Sequence, residues 1–341
     1  HKDVKIVNAD SREISADLQH EGKLADIQWS PEGDQLALLA GNSIHDVIAG
    51  RIMVADAEDG AETENIRPDF KGKFEQIAWT DNNTIRFIAS ESTKRGFGSV
   101  KPDGSGFDYM LEPGNMAYRE FAFAGKRNIA FIASTSEYPG EVYYKGGGGK
   151  PDRITHTNPW LEDLALGEQE VVTYEASDGL EIQGILIKPV GYEEGEEVPT
   201  IVVAHGGPEA HYSNEWLTRY IYPGQVAAAK GYAVFYPNYR GSTGRGIEFL
   251  KSSQGDAAGK EFDDIVDGVD YLIDQGITDP DRVGITGGSY GGYATGWMTT
   301  RYSDRFAAGV MNFGISDNIS KWGTTDIPQD RKSTRLNSSH R

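Results

Sequence analysis

The chain has 341 residues, a formal net charge of −19 and no cysteine. A chain of this length favours two domains, and its 42 glycines indicate a globular fold with many turns. The acidic balance argues against nucleic acid or an anionic membrane as a partner, because either would need a basic face. Without cysteine, disulfides, zinc–thiolate sites, iron–sulfur clusters and thiol nucleophiles are excluded.

The sequence gives little information about the compartment of the protein. Its apolar stretches fall short of the roughly 20 residues that a membrane-spanning helix needs, and no signal peptide is visible. Because the sequence starts at His1 rather than at methionine, we expect the natural N-terminus to lie upstream. The localisation therefore stays open.

The first half, residues 1–155, consists of short strands separated by polar turns. Three segments align, each with an aromatic-bearing strand, a polar turn and a second apolar strand, and they start 50 and 44 residues apart: 27–40, 77–90 and 121–134. After each come a further strand and a glycine-rich turn. A repeat of this length with four short strands is typical of one blade of a β-propeller.

We therefore predict that residues 1–155 form about three blades of an all-β propeller. Propellers close with about four to eight blades, so we expect further blades upstream of His1. Three unrelated hairpins of a β-sandwich are the alternative, which the alignment of the second strands makes less attractive.

From about residue 170 onwards, strands alternate with helices. Two segments around the turn at Ser177 read as antiparallel edge strands. Four nearly continuous apolar runs read as central strands of a mostly parallel sheet with helices on both faces: 200–204, 232–236, 282–286 and 306–311. Apolar residues at helical spacing from Phe262 to Ile273, with acidic residues in the first turn and Gly276 beyond the end, predict a helix.

A short motif in this half carries chemistry. Gly287-Gly-Ser289-Tyr-Gly291 matches the G-x-S-x-G pattern of a nucleophile elbow, a strained turn between a strand and a helix. The string alone is short enough to arise by chance, but a predicted strand runs into Ser289, and apolar residues at helical spacing follow Gly291. We therefore predict that Ser289 is the nucleophile of a serine hydrolase. A serine in a glycine-rich loop is the alternative.

A serine that attacks a carbonyl also needs donors for the oxyanion. The backbone N–H of the residue after the nucleophile, Tyr290, is one such donor. The second is expected from the loop after the third strand, which here is His205-Gly-Gly-Pro208. Glycine lets an N–H point inward without a side chain in the way, and we favour the N–H of Gly207.

Other polar groups receive structural interpretations. His205 and His211 could serve as a general base, or could join Glu209 in a metal site. The base of this kind of site follows the nucleophile in the chain, however, so both are interpreted as loop histidines. The glycine-rich segment 241–246 lacks the Gly-Lys-Ser/Thr ending of a phosphate loop. We predict no metal and no cofactor.

Three motifs in this order, behind a propeller, resemble the prolyl oligopeptidase family of serine peptidases: His205-Gly-Gly-Pro208, Asn238-Tyr-Arg-Gly-Ser-Thr-Gly244 and Gly287-Gly-Ser-Tyr-Gly-Gly-Tyr293. The form of the first motif is most similar to the acylaminoacyl-peptidase and dipeptidyl-aminopeptidase-like branch. The resemblance is good over 158–329 and looser over the propeller.

This resemblance implies an α/β-hydrolase domain over 156–329 and a serine peptidase that acts on short peptides through an acyl-enzyme on Ser289. It also implies that the propeller restricts access to the site. The oxyanion donors map to the backbone of Tyr290 and Gly207.

The acid and base of the triad match nothing after Ser289. The only later histidine is His340, and four aspartates fall before the strands expected to carry the acid: Asp304, Asp317, Asp326 and Asp330. Segment 330–341 has no periodicity and looks like one reading frame of a common sequencing adapter. We expect it to be an artefact, the domain to be truncated at its C-terminus, and the chain as given to be nearly inactive.

Two other functions stay open. The elbow would equally suit a carboxylesterase or acyltransferase, and the hydrolase half could be catalytically decayed beside a propeller that binds a partner. For the peptidase hypothesis we expect short peptides as substrates and allow a homo-oligomer.

Overall fold

The computed structural model describes residues 3–43, 46, 48–125 and 128–324, and the chain divides into two compact units. The first unit takes in the described residues up to Ala133 together with Gly140–His156 and Gly244–Ile247. The second takes in Ser134–Pro139, Thr157–Thr243 and the described residues from Glu248 onwards. The main boundary thus lies between His156 and Thr157.

Apart from Ile247, where a helix of the second unit begins, the regular elements described in the first unit are all β-strands. They are β1 (Val4–Val7), β2 (Ile14–Leu18), β3 (Leu24–Trp29), β4 (Gln35–Ala40), β5 (Arg51–Asp56), β6 (Glu64–Asn65), β7 (Lys73–Asp81), β8 (Thr84–Glu91), β9 (Lys94–Val100), β10 (Asp108–Leu111), β11 (Ala117–Ala124), β12 (Asn128–Ser134), β13 (Glu141–Lys145) and β14 (Asp152–Arg153). Strands β3–β6, β7–β10 and β11–β14 form three four-stranded antiparallel sheets, and β1 pairs with β2.

The three sheets correspond to the three aligned segments, and they bury their apolar faces on one another. Ile52 of the first sheet shares a core with Phe74 and Phe87 of the second. Phe97 of the second sheet packs with Phe131 of the third. Stacking of successive four-stranded sheets is how propeller blades bury both faces, so the prediction of propeller structure is confirmed. The β1–β2 pair, which the repeat did not predict, packs on the first sheet.

The second unit contains both strands and helices. They are a 3₁₀ helix (Pro159–Asp163), β15 (Gln169–Glu175), β16 (Glu181–Ile187), β17 (Val198–Ala204), α1 (Gly224–Ala228), β18 (Ala233–Asn238), α2 (Ile247–Lys251), α3 (Lys260–Asp274), β19 (Thr278–Gly288), α4 (Tyr290–Arg301), β20 (Ala308–Asn312) and α5 (Asn318–Thr324). The six strands form one sheet in the order β15-β16-β18-β17-β19-β20. Strands β17–β20 run parallel, and β15 and β16 run antiparallel to their neighbours.

Two strand positions differ from the prediction. Strand β16 is not an edge strand, because it pairs with β15 on one side and β18 on the other. Its apolar run from Ile185 to Ile187 is fully buried, as a strand covered on both faces requires. Strand β20, predicted to be central, is the last strand of the sheet among the described residues and is largely exposed.

Helices cover both faces of the sheet. Val202 and Phe235 point to one face, where Phe262 of α3 and Ala294 of α4 join their core. The next residues, Val203 and Val234, point to the other face and pack with α1. This alternation places the predicted α/β domain around two cores and confirms the fold class.

The predicted helix is α3. Its apolar residues Phe262, Ile265, Val269 and Leu272 are buried. The chain leaves the helix through Gly276, whose φ of 69° is the left-handed conformation expected just past a helix end. In the described residues, no helix has the length and apolar character needed to cross a membrane.

Candidate active site

Ser289 lies at the junction of β19 and α4. Its φ of 58° and ψ of −117° fall in a region that costs a residue other than glycine about 1–3 kcal/mol. The side chain is exposed. The backbone is held by two hydrogen bonds, from Ser289 N to the Asn312 carbonyl at 3.2 Å and from Tyr293 N to the Ser289 carbonyl at 3.0 Å. The result is a strained turn that presents a hydroxyl to solvent, as the elbow motif predicts.

The flanking glycines are required by the approach of three backbone segments. A Cβ at Gly287 would lie 2.5 Å from the Ala204 carbonyl oxygen and 2.6 Å from the Gly291 carbonyl oxygen. A Cβ at Gly291 would lie only 2.0 Å from the Ala204 carbonyl oxygen. These neighbours are backbone atoms, which cannot turn aside as a side-chain tip can.

The predicted oxyanion loop lies beside the nucleophile. It begins directly after β17, and a Cβ at Gly206 would lie 3.3 Å from Ser289 Cβ and 3.8 Å from Ser289 Oγ. Gly207 has a φ of 120°, which an L-residue rarely adopts. The structure therefore places Gly206 of this loop beside Ser289, and the assignment of the Gly207 and Tyr290 N–H groups as oxyanion donors stays a prediction.

The His205 side chain is buried under this loop's own backbone and bonds to it. The side chain is 3% exposed, and its ring stacks on Tyr239 with centroids 4.2 Å apart. Nδ1 donates to the Gly206 carbonyl at 2.9 Å, and the Tyr239 hydroxyl donates to the His205 carbonyl at 2.6 Å. This geometry agrees with a loop histidine and not with a general base at Ser289.

Burial gives His205 a measurable pH signature. Desolvation lowers its pKa from the usual 6.5 to about 4. The unfolded chain therefore takes up a proton before the folded chain does, and the free energy of unfolding should fall as the pH drops from 6.5 towards 4. The free energy of unfolding, measured with urea at several pH values in this range, should depend less steeply on pH in His205→Gln than in the wild type. An equally steep dependence on pH in the two proteins would contradict a buried neutral histidine.

The Asn238–Gly244 motif contacts both His205 and the chain just after its loop, a role the sequence did not predict. The Asn238 side-chain amide accepts from Tyr212 N at 2.7 Å and donates to the Tyr212 carbonyl at 2.9 Å. Ser242 Oγ lies 2.9 Å from His205 Nε2. The sequence signal that could have identified this role was position, because Asn238 is the last residue of the buried strand β18 and Ser242 follows its carboxyl end.

Arg240 of the same motif forms a buried ion network that the sequence also did not predict. Its Nε and Nη2 donate to Asp264, which is fully buried, and its Nη1 and Nη2 donate to Asp178. The two carboxylates raise the pKa of Arg240. Hydrogen bonds from Arg240 and from Lys260 lower the pKa of Asp178.

The triad acid and base are not found around Ser289 in the part of the chain that the structure describes. Asp304 is exposed, and Asp317, also exposed, accepts from Ser320. Asp326, Asp330 and His340 lie outside the described residues. No group of three or more histidine, aspartate or glutamate side chains among the described residues is arranged to hold a metal ion.

Comparisons with known proteins agree with this arrangement. Residues 220–339 match the model of the prolyl oligopeptidase family. An uncharacterized peptidase of Bacillus subtilis, YuxL, is 33% identical over 261 residues, which are 75% of this chain and 38% of that protein. Dipeptidyl aminopeptidase BIII of Pseudoxanthomonas mexicana is 36% identical over 197 residues, which are 54% of this chain and 27% of that protein.

The fold is also that of a solved enzyme. Acylaminoacyl peptidase of Pyrococcus horikoshii has a TM-score of 0.82 at 24% identity, over 99% of this chain and 52% of that chain. This chain therefore spans about half, or less, of the length of these relatives.

The family match runs to residue 339 and so enters segment 330–341. Because this segment lies outside the described residues, its interpretation as an artefact stays a prediction. The motifs, the two-part fold and these matches together show that the chain belongs to the prolyl oligopeptidase family.

Proposed function

We propose that this chain carries the nucleophile and the oxyanion site of a serine peptidase. The observation that carries the proposal is the geometry at Ser289, an exposed hydroxyl on a strained elbow with the glycine loop beside it. Family membership supports the same reaction. The proposed reaction is hydrolysis of a peptide bond through an acyl-enzyme.

In this mechanism, Ser289 Oγ forms a bond to the substrate carbonyl carbon while a general base accepts the hydroxyl proton. The N–H groups of Tyr290 and Gly207 donate to the oxygen that gains negative charge. The C–N bond then breaks, and the proton passes to the leaving amine. Water attacks the ester on Ser289 and regenerates the hydroxyl.

The base and its acid partner are the open part of the proposal. The two histidines described in the second unit, His205 and His211, both precede Ser289 and are engaged in the loop. We therefore propose that the 341-residue chain acylates slowly, because none of the described residues is placed to act as the activating base of Ser289. An added small base such as imidazole should accelerate acylation.

Short peptides are the proposed substrates. The relatives named above include a dipeptidyl aminopeptidase, and an acylaminoacyl peptidase with a similar fold binds Z-Gly-Gly-Phe-chloromethyl ketone. As the family resemblance implies, we further propose that the propeller limits the size of substrates. Cleavage of a short peptide without cleavage of a folded protein that contains the same sequence would support this restriction.

The test compares amide and ester substrates on the product of the uninterrupted gene. Acylaminoacyl and dipeptidyl nitroanilides should be cleaved, Ser289→Ala should abolish cleavage, and mass spectrometry should detect the acyl group on Ser289. Ester cleavage with no amide cleavage would favour a carboxylesterase or acyltransferase instead. No Ser289-dependent reaction with either substrate would favour a decayed hydrolase half.

A further inference from the structure

A buried carboxylate connects the helix before β19 to the residue after the nucleophile. Glu261, the second residue of α3, is fully buried. Its Oε1 accepts from the Tyr290 hydroxyl at 2.6 Å and from Ala258 N at 2.6 Å, and its Oε2 accepts from Gly259 N at 3.2 Å. One side chain thus ties the loop that starts α3 to the first residue of α4.

The three partners favour the ionised form of this group. Two backbone N–H groups and the Tyr290 hydroxyl can all donate to a carboxylate with two free oxygens. A protonated carboxyl would have to reverse the bond to Tyr290, so that the hydroxyl accepts instead of donating. Burial raises the pKa of Glu261, while its hydrogen bonds, the one from Tyr290 first among them, oppose that shift.

Tyr290 is held at both of its ends. Its ring is buried against Phe262 and Tyr293, with centroids 5.6 Å and 5.7 Å apart. Its hydroxyl is bound by Glu261. Its backbone N–H belongs to the first residue of α4, directly after Ser289, where the proposed reaction needs a donor aimed to within a fraction of an ångström.

We propose that Glu261 is a positioning residue of the oxyanion site, which fixes the backbone of Tyr290 through the phenol hydroxyl. The inference rests on the proposed function, since Tyr290 N–H matters only if Ser289 attacks a carbonyl. Glu261 does not touch the substrate. It acts through Tyr290: the buried hydrogen bond between Glu261 and the Tyr290 hydroxyl determines the direction of the Tyr290 N–H.

The chain contains a matched control for this pair. Tyr302, just past the C-terminal end of α4, also donates its hydroxyl to a carboxylate of α3, in this case Asp263. Both tyrosine–carboxylate pairs connect the same two helices, but only the Tyr290 pair adjoins Ser289. A merely structural role predicts that any loss of rate in Tyr290→Phe or Tyr302→Phe follows the loss of stability of that variant, which should be larger for the more deeply buried Tyr290 pair.

The experiment measures Ser289-dependent turnover of a p-nitrophenyl ester by the 341-residue chain, with the rate of Ser289→Ala subtracted. We expect Tyr290→Phe to lower kcat about tenfold with KM unchanged, because a misaligned oxyanion donor weakens only the transition state. Tyr302→Phe should stay near the wild type. Glu261→Gln, whose amide oxygen can still accept from Tyr290, should keep more activity than Glu261→Ala.

Equal rates in wild type, Tyr290→Phe and Glu261→Ala would overturn the inference while leaving Ser289 as the nucleophile. If the 341-residue wild type reacts no faster than Ser289→Ala, amide exchange decides the inference alone, and the proposed function is decided separately by the product of the uninterrupted gene. Hydrogen exchange of the Tyr290 amide, read by NMR on ¹⁵N-tyrosine-labelled chain, should be faster in Glu261→Ala and unchanged in Tyr302→Phe. An unchanged exchange rate of the Tyr290 amide in Glu261→Ala would overturn the inference about Glu261.

Discussion

Gly291→Ala should destabilise the second unit by about 3 kcal/mol or more, because its methyl group would have to share space with backbone. The new Cβ would lie 2.0 Å from the Ala204 carbonyl oxygen and 2.9 Å from the His205 carbonyl oxygen. To relieve the overlap, either α4 must shift away from β17 or the end of β17 must move. Both movements would also separate Ser289 from the oxyanion loop.

Gly296→Ala in the same helix is the control. Its Cβ would meet only the Met311 side chain, Sδ at 3.4 Å and Cε at 4.0 Å, which are ordinary contacts. Alanine inside a helix is favoured over glycine by about 0.8–1 kcal/mol, so this variant should be at least as stable as the wild type. Urea unfolding distinguishes Gly291→Ala from Gly296→Ala. Where the curve shows two transitions, the free energy of unfolding is fitted for each unit separately. If the two variants unfold alike, the close packing at Gly291 is contradicted.

Asp264→Ala should be the second large effect, with a loss of about 3–5 kcal/mol, because it leaves a buried charge without its main partner. Asp264 is fully buried and accepts from the backbone N–H, Nε and Nη2 of Arg240. After the substitution, Arg240 would keep only its bonds to Asp178.

Asp279→Ala is the control, because it removes an ion pair as short as the one between Arg240 and Asp264 but exposed to solvent. Asp279 lies 2.5 Å from Arg282, whose side chain is 54% exposed, so its loss should change stability far less. Thermal unfolding of the two variants side by side measures the contrast. An Asp264→Ala variant as stable as Asp279→Ala would show that Arg240 finds solvent or another partner in the folded chain.

The elbow was predictable from sequence because its constraints are local. A strand, two glycines and a helix lie within consecutive residues, which makes the motif visible, although the backbone that crowds Gly287 and Gly291 includes Ala204 of β17. The propeller repeats were visible for a similar reason, since each hairpin contains its own turn. The chain-order argument also assigned His205 to the loop, which its burial supports.

What the sequence did not reveal depends on residues far apart in the chain. The partner of Arg240 is 24 residues away and the partner of Tyr290 is 29 residues away, and no periodicity links such pairs. The interior position of β16 was missed because a turn between two strands does not say which strand receives a third neighbour. In that case its continuous apolar run was the better indicator.

The most direct test of the central claim is a fluorophosphonate reaction with the 341-residue chain, followed by peptide mapping. The strained turn and the oxyanion loop should together make Ser289 the modified serine, with slow labelling that imidazole accelerates and that Ser289→Ala abolishes. Modification spread over other serines, or labelling that persists unchanged in Ser289→Ala, would contradict the assignment of Ser289 as the nucleophile.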